Sequence, residues 1–213
     1  MKRLLVFGDS WAEGSGLDKP REKPFGQLTA EALKFDRYDN YAVPGTSISF
    51  LIKQLHHAEH TLDRDDGIEK TAIFFLTSPN RDFIFQPKGS PYQELHFRPE
   101  GGVDGRDYYK YFHTPELSNF RANTTLLALH QLCAYHQIDD RYIIGWERFD
   151  LWKGVDKNKI YPKTCLELFG PEFKTTHDFL TIPNEFVIPN DGHPNQKGHQ
   201  EIAKWLIRWL YKD

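Results

Sequence analysis

The sequence predicts an α/β protein, a three-layer α/β/α sandwich whose central, mainly parallel sheet lies between two layers of helices. Short apolar runs bounded by turn residues alternate along the chain with stretches of helical period. The clearest run, residues 72–76, is unbroken apolar, as expected of a strand covered on both faces. Strands that alternate with helices are joined by right-handed crossovers and so run parallel.

Each element follows from its residues. Residues 4–7 read as a buried strand, stopped by Gly8-Asp9-Ser10. Residues 25–35 form a short amphipathic helix, with Phe25, Leu28, Ala32 and Leu33 near helical spacing. Residues 38–43 make a second strand, ended by Pro44-Gly45. A helix over 46–62 follows, with Ile48, Leu51, Ile52 and Leu55 on one face, and then a third strand over 71–76. From about 83 to 113 Pro, Gly and aromatic residues follow neither rhythm. Thr114-Pro115-Glu116 restarts a helix with a cap residue and proline at its first position, running to about 137. Residues 141–146 are the fourth strand. Residues 147–190 are again irregular, with a short strand near 179–182. The last helix starts at about Asn195 and carries Ile202, Trp205, Leu206, Trp209 and Leu210 on one apolar face. Both irregular stretches exceed ordinary connections and read as functional loops or lids within a single domain covering 1–213.

Composition narrows the function classes. A chain of 213 residues, 39% hydrophobic and 27% charged, can bury a core and is not a disordered segment. A formal charge of -3 supplies no basic field for nucleic acid and no polybasic membrane patch. No apolar run approaches the roughly 20 residues of a membrane span. Lys2-Arg3 before four apolar residues resembles the start of a signal segment, but the run is too short and Asp9 follows. A cytoplasmic protein without a nucleic-acid partner is the expectation. The two cysteines, Cys133 and Cys165, lack metal or redox spacing and read as reduced thiols.

In an open parallel sheet the carboxyl ends of the strands converge on one edge, where ligands bind. Gly8-Asp9-Ser10 follows the first strand, and a segment from Asn40 through Pro44-Gly45-Thr46 follows the second. Thr77-Ser78-Pro79-Asn80-Arg81 follows the third, and Asn190-Asp191-Gly192-His193-Pro194-Asn195 precedes the last helix. Taken alone, Gly8-Asp9-Ser10 is as compatible with a simple turn as with a nucleophile.

Together, in this order, the four blocks resemble the SGNH, or GDSL-type, serine hydrolases. The first block has Trp11 where that family often has Leu; the second is an Asn followed five residues later by Gly; the fourth is Asp-x-His-Pro-Asn with Gly198-His199 following. The third keeps only its Asn, the family's Gly-x-Asn-Asp being Ser78-Pro79-Asn80-Arg81 here. The resemblance spans the chain and implies the SGNH hydrolase fold, with a flavodoxin-like sheet. It implies a serine esterase that cleaves a carboxylic ester through an acyl-enzyme, with no metal and no cofactor. The substrate class it implies is a small-molecule or carbohydrate ester, such as a sugar O-acetyl group.

The chemistry accounts for these residue types. A serine hydroxyl needs a base, and His193 is the candidate for removing the Ser10 proton. Asp191 would accept from the other ring nitrogen, an extended segment putting residues two apart on one side. Asn190 holds the position three before His193, where many family members carry that Asp, and is the competing orienter. The oxyanion hole would consist of the backbone N–H groups of Ser10 and Gly45 and the side-chain amide of Asn80, each worth about 3–4 kcal/mol in the transition state. Arg81 reads as one half of a structural ion pair, and His199 as structural.

Two other function classes fit parts of the sequence. His56-His57-Ala58-Glu59-His60 contains H-x-x-E-H, which on a helix puts His56 and His60 on one face as in a zinc hydrolase. An exposed polar face is the simpler reading, because the stretch runs into Asp63-Arg64-Asp65-Asp66-Gly67. A catalytically silent binding or virion-associated module on the same scaffold is the other alternative. The first irregular stretch holds Phe83, Phe85, Tyr92, His96, Phe97, Tyr108, Tyr109, Tyr111 and Phe112. Most of these rings are expected to anchor the loop, and the rest to line a substrate wall.

Overall fold

The structure, a computed structural model, describes residues 1–62, 67–85, 94–97, 108–170, 172–173, 185–188 and 191–211, with the backbone alone over 83–85 and 94–97. In chain order the elements are β1 (Lys2–Phe7), α1 (Ser10–Glu13), α2 (Phe25–Ala32), β2 (Arg37–Asn40), α3 (Leu51–Leu62), β3 (Glu69–Leu76), β4 (Asp82–Phe85), β5 (Glu94–Phe97), α4 (Pro115–Tyr135), β6 (Ile138–Ile144), a 3₁₀ turn (Lys157–Lys159), α5 (Cys165–Phe169) and α6 (Gln196–Leu210).

Alternation along the strands builds the layers. Strands β2, β1, β3 and β6 form a parallel sheet in that order. Leu4, Val6, Ile73, Phe75 and Ile143 point to one face, where they pack with Phe25 and Ala30 of α2, Leu166 of α5 and Ile202 and Leu206 of α6. Leu5, Phe7, Ala72, Phe74 and Ile144 point to the other, against Leu51, Leu55 and Ala58 of α3 and Leu126, Leu129 and Cys133 of α4. Period-two alternation thus feeds two apolar cores from one sheet, which makes the three layers predicted. Cys133 and Cys165 are free and buried in opposite cores, with the sheet between them.

Several boundaries differ from expectation, each for a physical reason. The helix expected over 46–62 begins at Leu51, because the hydroxyl of Thr46 bonds Val43 O and Gly8 O and 46–50 turn instead. β6 starts at Ile138 rather than 141 and takes two acidic residues into the sheet. Asp140 is tolerated there because its buried carboxylate accepts from Lys159, from His130 Nδ1 (2.9 Å) and from Tyr142 Oη (2.7 Å). The stretch 83–113 is not without structure, for β4 and β5 pair antiparallel as a separate ribbon. Within 147–190, α5 carries a capping box in which Thr164 and Glu167 satisfy each other's backbone N–H. The strand expected near 179–182 lies outside the described residues.

The ends of the long helices follow the sequence closely. Thr114 Oγ1 accepts from Leu117 N–H with Pro115 behind it, and Asn195 Oδ1 caps Lys197 and Gly198. Among the described residues, no helix is long and apolar enough to cross a membrane.

Candidate active site

The parallel register brings the carboxyl ends of β1, β2 and β3 to one edge, and the loops leaving them bond to one another there. The tightest part is the turn after β1. A Cβ on Gly8 would lie 2.7 Å from Ala12 Cβ and 2.8 Å from Phe75 Cβ, and φ is +156° there, so only glycine fits this crossing of turn and sheet. Gln54, buried in α3, donates to Gly8 O (2.8 Å) and accepts from Gly8 N–H (2.9 Å), while Val43 N–H (3.0 Å) and Thr46 Oγ1 (3.2 Å) reach the same carbonyl. The first and second blocks are thereby fastened together.

Asp9 is fully buried. Its Oδ1 accepts from Trp11 N–H (3.0 Å), capping the single turn of α1, and its Oδ2 accepts from Thr77 Oγ1 (2.7 Å) and Arg81 Nη1 (3.1 Å). Arg81 is therefore in the structural ion pair expected of it, with its guanidinium 5.8 Å over the Trp146 ring. Asn40 fixes the second block by donating to Ala12 O (2.9 Å) and accepting from Ala42 N–H (3.0 Å). Beyond it the buried Gly45 adopts φ +78°, a left-handed conformation that suits glycine.

Asn80 is positioned through its backbone. Its N–H donates to Ser78 Oγ (3.3 Å) and its carbonyl accepts from Tyr109 Oη. Tyr108 beside it bonds Asp82, which also pairs with Arg121 of α4. Two rings of the first irregular stretch thus anchor it to this edge, whereas Tyr111 and Phe112 are exposed. Tyr92 and the side chains of Phe83, Phe85, His96 and Phe97 lie outside the described residues.

In the fourth block His193 Nδ1 lies 2.8 Å from Asp191 Oδ1. An ionised carboxylate only accepts, so in the neutral ring Nδ1 carries the proton and Nε2 keeps its lone pair. The segment is not extended as expected. It is a turn, in which Ile188 N–H donates to His193 O (2.9 Å), Ile188 O accepts from Asp191 N–H (3.2 Å), and Gly192 takes φ +74°. That reversal brings residues two apart onto one side. Asn190, the competing orienter, lies outside the described residues.

The turn packs against the segment after α1, since a Cβ on Gly16 would lie 3.1 Å from His193 Cβ. Ser10 is half-buried, and no direct hydrogen bond joins its hydroxyl to His193, a contact that often closes only when substrate binds. His199 is fully buried in α6 with Nδ1 accepting from Phe25 N–H (3.2 Å). Burial, with His193 nearby, lowers its pKa to about 4, so it is a neutral structural group at ordinary pH.

The H-x-x-E-H stretch does not gather its histidines around a metal position. His56 Nδ1 bonds Glu59 Oε2 (2.6 Å), and Glu59 Oε1 is taken by His136, the C-cap residue of α4 (3.2 Å). Among the described residues no group of three or more His, Cys, Asp or Glu is placed to hold a metal ion. Sequence reasoning missed Gln54, and it counted Tyr109 among the rings of which most anchor the loop without finding its partner, Asn80. A polar residue at 54, in helical step with Leu51, Leu55 and Ala58, was the available signal for the first.

No protein-family model matches the chain, and no curated protein sequence does. Solved structures do match in shape. A protein assigned to the lipolytic G-D-S-L family from Desulfitobacterium hafniense superposes with TM-score 0.55 at 11% identity, over 98% of this chain and 99% of its own. A member of the same family from Veillonella parvula gives 0.52 at 14% identity, with both chains fully covered. A carbohydrate esterase whose active site is described as having divergent catalytic and non-catalytic binding functions gives 0.50 at 15% identity; it covers all of this chain, which spans 65% of its length. At these identities the likeness is one of fold.

Proposed function

The chain has the fold of the SGNH hydrolases, and from that premise we propose that it is a serine esterase, acting as one domain on a carboxylic ester. The observation that carries the proposal is the bond between Asp191 and His193, 2.8 Å long, on a turn packed against the segment that follows Ser10. It leaves Nε2 of His193 as the basic nitrogen.

In the proposed reaction Ser10 Oγ attacks the ester carbonyl carbon as its proton passes to His193 Nε2, and Asp191 stabilises the imidazolium. The carbonyl oxygen becomes an oxyanion that receives the N–H groups of Ser10 and Gly45 and the side-chain amide of Asn80. Collapse of this intermediate expels the alcohol, which takes the proton from His193, and leaves the acyl group on Ser10. Water then adds by the same route, giving its proton to His193, and the acid departs as Ser10 is reprotonated. No metal or organic cofactor has a step in this scheme. The substrate we favour is an O-acyl group on a carbohydrate or another small ester, a choice supported by the fold shared with a carbohydrate esterase.

The test is hydrolysis of p-nitrophenyl acetate, with labelling by a fluorophosphonate, in wild type and Ser10→Ala. The proposal expects labelling of the wild type that Ser10→Ala abolishes. Labelling that survives in Ser10→Ala overturns the assignment of the nucleophile. A folded wild type that neither labels nor turns over supports a silent binding scaffold instead. Chelator-sensitive turnover retained by Ser10→Ala would favour the zinc reading of His56, Glu59 and His60.

A further inference from the structure

The residue that departs most from the SGNH pattern is Arg81, and the structure gives it one conspicuous partner. The Asp9 carboxylate is fully buried, directly precedes Ser10, and keeps Oδ2 for Thr77 and Arg81. Its other neighbours among the described residues bring no positive charge: Trp11 N–H and Thr77 Oγ1 are neutral donors, and burial pushes the Cys165 thiol up, so that it stays protonated. Two charges a few ångströms apart interact strongly where water is excluded. A bare carboxylate here would oppose any negative charge that develops at the neighbouring Ser10 N–H. Arg81 is mostly buried, and its Nη1 bonds both Asp9 and Thr77. Asn80, the residue before it, is the proposed side-chain donor to that same oxyanion.

Resting on the esterase reading, we infer that Arg81 is a positioning residue whose guanidinium cancels the Asp9 charge beside the oxyanion site, so that a tetrahedral anion can form on an acyl group held at Ser10. The Asp9 carboxylate caps α1, the guanidinium neutralises it, and the N–H groups nearby are left to the oxyanion. The requirement is for charge balance at this position and not for arginine as such.

The experiment is a charge cycle on the full chain: wild type, Arg81→Met, Arg81→Lys, and Asp9→Asn combined with Arg81→Met. Circular dichroism and melting verify folding, and kcat and KM for p-nitrophenyl acetate and the rate of fluorophosphonate labelling are the readouts. Arg81→Met should lower kcat and the labelling rate by about 10²-fold with KM little changed, a loss on the scale of one oxyanion-hole donor. Arg81→Lys should recover most of it. The double variant removes both charges while the amide oxygen introduced by Asp9→Asn can still accept from Trp11 N–H. It should exceed Arg81→Met by about tenfold or more. A folded Arg81→Met with unchanged kcat overturns the inference, as does a folded double variant no faster than Arg81→Met. A wild type that labels while the cycle stays flat defeats this inference alone. A folded wild type that does not label defeats the esterase reading and this inference with it.

Discussion

The turn that carries Ser10 and the turn that carries His193 are built on opposite plans. The first is embedded. Gly8 is wedged between Ala12 and Phe75, Gln54 bonds both of its backbone groups, and the following carboxylate is buried against Thr77 and Arg81. The second is at the surface, with Asp191 46% and His193 26% exposed, held by a few backbone bonds and Gly192. One half of the proposed site is part of the core, and the other is laid over it. Substitutions should therefore separate: at the His193 turn they should change chemistry and spare stability, and at the Ser10 turn they should change both.

The largest expected effect lies at the exposed turn. His193→Ala should lower kcat for p-nitrophenyl acetate by about 10³–10⁴-fold, the scale of losing the base of a triad. Its melting temperature should stay close to that of the wild type, because the imidazole is partly exposed and its side-chain hydrogen bond goes to the surface carboxylate of Asp191. A melting temperature that falls steeply would break the comparison. Asp191→Asn should follow, lowering kcat by about 10²-fold or more, since the amide favours the wrong imidazole tautomer. Asn190→Ala should change kcat far less, and the reverse order would transfer the orienting role to Asn190. At the embedded turn, Gly8→Ala should cost about 2–4 kcal/mol from the close approach and the backbone strain together. Chemical denaturation would measure it, and a Gly8→Ala variant as stable as the wild type would show that the turn can move away from Phe75.

The same contrast explains what could be seen in the residues beforehand. Residues 72–76 announce a central strand because both faces of it are apolar, while the start of β6 was hidden by the exposed Asp139 and by Asp140, whose burial depends on Lys159, His130 and Tyr142. The four chemical blocks were visible because each is a short local cluster whose residue types are set by their chemistry. Their fastenings were not. Gln54 reaches Gly8 from 46 positions away and Tyr109 reaches Asn80 from 29, and no local pattern encodes either pairing. Arg81 could be expected to form an ion pair, but which acid it meets depends on how the ends of β1 and β3 sit side by side. The Asp191–His193 pairing was anticipated with the wrong backbone: a period-two argument assumes an extended segment, and Gly192 turns the chain instead.

His199 sharpens the comparison with the smallest effect, because it is a second histidine six residues from the first and belongs wholly to the core. Its ring is fully buried, its Nδ1 accepts from Phe25 N–H, and its pKa is lowered from 6.5 to about 4, first by burial and then by His193 nearby, with Glu22 opposing. A histidine held neutral in the fold binds fewer protons than in the unfolded chain between those two values. Its contribution to stability is therefore complete above about pH 6.5 and lost progressively as the pH falls towards 4, by about 2 kcal/mol at pH 5. His199→Gln, whose amide oxygen can still accept from Phe25, should start less stable than the wild type at pH 7.5 and lose less on transfer to pH 5. The measurement is the difference in unfolding free energy between the two pH values, taken for both proteins, so that contributions common to the two cancel. Equal acid sensitivity would mean that burial does not hold His199 neutral, and the division between an embedded and a surface half of this edge would fail at its most buried ring.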